Sequence, residues 1–200
     1  MTKYRLDELG RAVFKRNPLL AAKLKPPLSG PEVKMMLKRA EVVGSIDPLI
    51  ALYTWRNGTI FDQSLMESKT GFFPGAIYQF IDLEKAIEHM RAYRDCVCSC
   101  FPKLANLGGR YFPIFWDGAT NWVGLDLESS ESGVVLIRYF IKEALFKDGQ
   151  YEPEIHEEDP PREVYSSFIE FLADATLVGF GRFTSHICIY CRWRNSCRDW

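Results

Sequence analysis

Histidine is scarce in this chain of 200 residues, with three in all, and no apolar run approaches the length of a membrane-spanning helix. The G-x-S-x-G, H-E-x-x-H, P-loop and dinucleotide fingerprints are missing as well, which removes the sequence signals of several hydrolases and of the common phosphate cradles. Charge of one sign is not in excess: 25 basic against 26 acidic residues leave −1 at pH 7. Overall charge therefore makes no case for nucleic acid or an anionic membrane as partner. The opening stretch MTKYRLDELGRAVFKRN is amphipathic and charged, without the apolar core and cleavage site of an export signal. A cytoplasmic protein is the expectation. Internal repeats and low-complexity segments are also lacking.

What is present describes an ordinary globular chain, 47% hydrophobic, 26% charged and 14% aromatic. At this length a single domain buries about 70% of its unfolded surface. The charge is unevenly spread. Residues 1–50 hold ten Lys/Arg against five Asp/Glu, whereas residues 148–174 hold nine Asp/Glu against Arg162 alone. Six cysteines stand as Cys96, Cys98, Cys100 and Cys188, Cys191, Cys197, and without an export signal they read as reduced thiols. The first three alternate like one face of a strand. His186, Cys188, Cys191 and Cys197 offer zinc-type donors, but His186 and Cys188 are too close in sequence and no second paired motif accompanies Cys-x-x-Cys, so no metal is expected. A cysteine nucleophile paired with His89 or His156 lacks an orienting third group and an oxyanion turn. His89 reads as lying on a solvated helix face.

The stretch YFPIFWDGATNWVGLDL, from Tyr111 to Leu127, reads as a β-hairpin: an apolar run, a turn on Asp117-Gly118, and a second run alternating Val123, Leu125 and Leu127 with Trp122, Gly124 and Asp126. With Val134 to Phe140 it makes a three-stranded antiparallel meander over residues 111–140. Before it, Leu6, Leu9 and Val13 mark a helix that stops at Asn17-Pro18. Lys25-Pro26-Pro27-Leu28 is a stiff connector, and Ser29-Gly30-Pro31-Glu32 has the form of a capping box opening a helix through Val33, Met36, Leu37 and Ala40. Asp47-Pro48 reads as a cap and helix start, and Asn57-Gly58 as the stop. Thr59 to Phe61 is a possible short strand and 62–70 a loop. Ala76 to Ile81 reads as a strand, and Asp82 caps a helix with Leu83, Ala86, Ile87 and Met90 on one face. Residues 141–160 read as an exposed loop, Glu163 to Ala175 as the last helix, and 181–200 as a basic, Cys-rich tail. The fold class is α+β, a mainly antiparallel sheet covered by N-terminal helices and a C-terminal helix. Residues 1–28 form a helix and connector, 29–180 the single domain.

Within that order, Leu52-Tyr53-Thr54-Trp55-Arg56-Asn57-Gly58, Phe73-Pro74-Gly75, Phe112-Pro113-Ile114 with Asp117-Gly118, Leu125-Asp126-Leu127 and Gly133-Val134-Val135 follow one another. Together they resemble the SUKH superfamily, the Smi/Knr type, over roughly residues 30–178. Ala119-Thr120-Asn121 departs from the further glycine common at that family's hairpin turn, and neither 141–160 nor the tail has a counterpart. The resemblance implies an α+β domain without cofactor or catalysis that binds another protein, commonly a bacterial toxin. Trp55, Asn57, Gly58, Phe112, Pro113, Gly118 and Asp126 are then structural signature positions.

Two surfaces are candidates for the partner. Trp116, Asp117, Asn121 and Trp122 form the hairpin tip, where two indoles flanking an acidic turn suit an interface anchor. Glu152, Glu154, Glu157, Glu158 and Asp159 form an acidic run that could mimic phosphate towards a toxin with a basic cleft. The expected function is an immunity protein that neutralises a cognate toxin by occlusion. A regulator or scaffold of the Smi/Knr type and a small cysteine hydrolase are the alternatives.

Overall fold

A computed structural model describes residues 2–16, 18–60, 79–100, 109–116, 121–129, 133–138, 145–147, 150–152 and 162–171. Helices α1 (Thr2–Arg16), α2 (Pro18–Lys23), α3 (Gly30–Arg39) and α4 (Asp47–Trp55) come first. Strand β1 (Gln79–Phe80) leads into the long helix α5 (Leu83–Cys100). Strands β2 (Tyr111–Trp116), β3 (Asn121–Asp126) and β4 (Val134–Arg138) follow, then β5 (Leu145–Lys147), β6 (Gln150–Glu152) and β7 (Arg162–Tyr165). Five strands share one antiparallel sheet in the order β1-β2-β3-β4-β7, and β5 pairs with β6 separately. The α+β class and the central meander read from the sequence are what the chain adopts.

Pairing within the meander sorts its side chains between two faces. Phe112 opposes Leu125, Phe115 opposes Val123, and Trp116 opposes Trp122. Ile114 is the extra residue of a β-bulge between Pro113 and Phe115, so Ile114 and Phe115 both enter the core. One face thus gives Phe112, Ile114, Phe115, Val123, Leu125 and Val134 to the main core, where Leu6, Leu9, Ala21, Leu37, Leu49, Tyr53 and Phe80 meet them. Residues 1–28 therefore share this core. The other face carries a smaller cluster of Tyr111, Trp122 and Val135, against which Tyr93 and Trp116 pack.

An aromatic chain runs through the main core. Phe80 stacks on Tyr53 at 5.7 Å and on Trp55 at 6.5 Å, then meets Phe115 at 5.5 Å, which meets Phe171 at 6.0 Å. Burial of a side chain like Phe80 contributes about 2–3 kcal/mol, and this one joins α4, β1 and β2.

Local signals explain several elements. The capping box at α3 forms in both directions, with the Ser29 hydroxyl accepting from the Glu32 amide and the Glu32 carboxylate accepting from the Ser29 amide. The helix ends in a Schellman motif, in which the Val42 amide donates to the Leu37 carbonyl and the Glu41 amide to Lys38. Glu41 occupies the left-handed position at φ 55°.

Several expectations need correction. The three cysteines from Cys96 to Cys100 lie in the final turns of α5, not in a strand; five residues are too few to separate the two periods. Arg162–Tyr165 is an edge strand, and helix begins only at 168. Arg-Glu-Val-Tyr fits either period, and its pairing with β4 decides the outcome. The stretch 141–160 is not wholly irregular, since it contains β5 and β6. The cap of α4 is Ile46 without a side-chain bond, Asp47 being the first helical residue. Residues 18–23 form α2, with Pro18 at its first position. Thr59 makes an isolated bridge to Leu24. The loop at 62–70, residues 76–78, the end of the strand at 139–140, the helix beyond 171 and the tail lie outside the described residues.

Candidate functional site

The signature positions build joints. The Asn57 side-chain oxygen accepts from the Leu83 amide at 2.9 Å, capping α5 from outside. Asp82 caps the same helix from within, accepting from the Lys85 amide at 2.8 Å, and its other oxygen pairs with Lys25. Burial pushes the Asp82 carboxyl up, but the Lys25 and Lys85 contacts outweigh it and leave it below its usual range. Gly58, at φ 78°, lies so close to Asp82 that an added Cβ would sit 2.4 Å from the Asp82 nitrogen. It stands two residues past the C-cap Arg56 of α4, rather than at the cap itself. Trp55 is half-buried on Phe80 with Gly10 against its indole, consistent with packing on the sheet. Tyr53, from the same turn, donates from its buried hydroxyl to the Ile81 carbonyl at 3.4 Å. Burial, and then the charge of Asp82, push that phenol upward.

Asp126 closes a second joint. Arg110 grips it with two bonds, Nε to Oδ1 at 2.9 Å and NH2 to Oδ2 at 2.6 Å, and the Glu128 amide adds a third at 3.1 Å. Burial raises the carboxyl, yet Arg110 and the amide more than offset it, so Asp126 stays below the carboxylate range and Arg110 is raised by the same bonds. The guanidinium also lies 5.4 Å from the Tyr111 ring centroid. Phe112 and Pro113 are buried in β2.

At the hairpin tip, Trp116 is half-buried and Trp122 is only 9% exposed. Their rings flank His89 of α5, at centroid distances of 4.9 Å and 5.4 Å. His89 is thus not on a solvated face. Burial and Lys85 hold its imidazole below the ordinary value of 6.5, against the pull of Glu88. Asn121 opens β3 opposite Arg138, and Glu152 closes β6. Asp117, Gly118, Glu154, Glu157, Glu158 and Asp159 lie outside the described residues. Strand pairing sets Trp116 opposite Trp122, and His89 and Tyr93 of α5 pack against the same cluster; Arg110 lies at the other end of the hairpin, on Asp126. Helical spacing from Met90 and Ile87 does not single out His89, because its partners lie on strands far along the chain. The one available signal was its place four residues before Tyr93, on a common stripe of α5.

His89 and Cys96 share α5, seven residues or about 10.5 Å apart along the axis. Among the described residues no group of three or more His, Cys, Asp or Glu is placed to hold a metal ion, and no helix is long and apolar enough to cross a membrane. The chain matches no protein-family model and no curated protein.

Proposed function

We propose that this chain is a non-enzymatic immunity protein of the SUKH type, acting in the cytoplasm, that binds a cognate bacterial toxin domain and occludes its active site. The observation that carries the reading is where the residues of the resemblance fall. Asn57 caps α5, Gly58 admits the Asp82 backbone, and Asp126 holds Arg110. All three act on the scaffold, as suits a protein whose work is done by a surface. The contact surface we assign is the hairpin tip, from Trp116 through Asp117 to Asn121, with the acidic run from Glu152 to Asp159. Buried Trp122 serves there by supporting Trp116.

The test is rescue. A toxic domain encoded beside this gene is expressed with and without the protein, and growth and co-purification are scored. Restored growth with a one-to-one complex is expected; if toxicity persists and no complex forms, the immunity reading fails. Charge reversal at Glu157, Glu158 and Asp159 should slow association about tenfold at low salt and flatten its salt dependence, as read by stopped-flow mixing. Unchanged rates would assign the contact to the tip alone.

A further inference from the structure

His89 occupies a slot made by two strands at once. Trp116 and Trp122 oppose each other across β2 and β3, and the imidazole meets both, with ring planes tilted by 45° and 56°. Its Nε2 is buried and has no hydrogen-bond partner among the described residues. A neutral imidazole fills such a slot as an aromatic spacer. An imidazolium carries a full charge and a donor on each nitrogen, and burial without an acceptor disfavours that form. We propose that His89 is a proton-operated latch: neutral, it locks α5 to the hairpin tip, and on protonation in mild acid it leaves the slot and frees the Trp116–Trp122 pair.

Among the described residues, the charged groups that bear on the ring are Lys85 and Glu88 of α5 itself. Lys85 opposes a second positive charge and Glu88 favours it, and the two are bridged at 3.2 Å. β2 and β3 present indoles to the ring, and Tyr93, one turn further along α5, joins the same cluster with a neutral phenol. The indole faces themselves attract a cation, so the titration midpoint reports which influence prevails. Desolvation places it below 6.5. Asp82 and Asp126, both held below the usual carboxylate range, keep their charge throughout this window. If Trp116 belongs to the partner surface proposed above, the latch makes partner release acid-dependent. That consequence rests on the proposed function; the latch itself is read on the free chain.

The experiment is an NMR titration of the full chain from pH 7.5 to 5, following the histidine ring carbons and the tryptophan indole signals, with H89F and H89Q as controls. We expect the His89 ring to titrate below 6.5 and the Trp116 and Trp122 signals to shift with the same midpoint. In H89F, which fills the slot without a titrating group, those indole shifts should vanish while the far-ultraviolet dichroism is retained. If H89F does not fold, H89Q supplies the same comparison. A midpoint at or above 6.5, or indole shifts that survive in the folded variant, would overturn the latch.

Discussion

Gly58 meets two demands that a side chain cannot. Its φ of 78° lies in the left-handed region, and an added Cβ would meet the Ile81 carbonyl carbon at 2.7 Å as well as the Asp82 nitrogen. Both obstacles are backbone, so relief requires the main chain leading into α5 to shift. Gly58→Ala should destabilise the chain by about 3 kcal/mol, more than the 1–2 kcal/mol of left-handed strain alone. Neighbouring Asn57→Ala removes one external cap and should cost about 1 kcal/mol. Urea unfolding of the two variants checks the ranking, and a milder effect for Gly58→Ala would show that the joint yields. Asn57-Gly58 was legible in sequence as a helix stop. That it also starts the next helix was not, because Leu83 is adjacent only in space.

At the scale of elements, α3 was the most legible. A capping box at its start, a clear apolar stripe and a compact length agree with one another, and local and global preferences coincide. Its end is less regular, for the Schellman motif places Glu41 where glycine is favoured. Glu41→Gly should stabilise the protein by about 0.5–1 kcal/mol, the relief of left-handed strain less the entropy glycine adds to the unfolded chain. A rise in Tm of a few degrees would register it; a fall would mean that the Glu41 side chain contributes something else. β7 and the end of α5 were illegible for a shared reason. Short segments satisfy both the strand and the helix period, and only a partner, β4 in one case and the continuing helix in the other, selects between them.

At the scale of the whole molecule, ion pairs tie segments distant in sequence. Lys25–Asp82 joins the N-terminal connector to α5, and Arg110–Asp126 joins the start of β2 to the end of β3. The Asp126 side chain is 5% exposed against 33% for Arg110, so the two partners are not equivalent to remove. Arg110→Met strands a buried carboxylate and should cost about 3 kcal/mol, whereas Asp126→Asn keeps some of the bonds and should cost about 1–2 kcal/mol. Both carboxyls sit below their unfolded value of 3.8, so their contribution is fully present above that value and is lost as pH falls through the lower folded values. Urea midpoints measured from pH 6 down to 2 should therefore fall more shallowly for Asp126→Asn than for the parent; parallel curves would remove Asp126 from the account of acid unfolding. The α+β class and the meander were readable from hydrophobic alternation. The fifth strand and the second aromatic cluster were not, since each exists only through contacts between remote segments.

The bulge at Ile114 gives the two strands of the hairpin unequal slack. β2 runs one residue longer than the ladder requires between Phe112 and Trp116, while β3 matches it step for step from Trp122 to Leu125. Excising position 114 would leave every remaining side chain of β2 in phase, at the loss of one buried isoleucine and of the bond its carbonyl accepts from the Ile81 amide. Excising one residue from within β3 has no such refuge: beyond the cut, indoles and aliphatics would exchange sides. Length variation in this hairpin is therefore admissible on one strand and prohibited on the other.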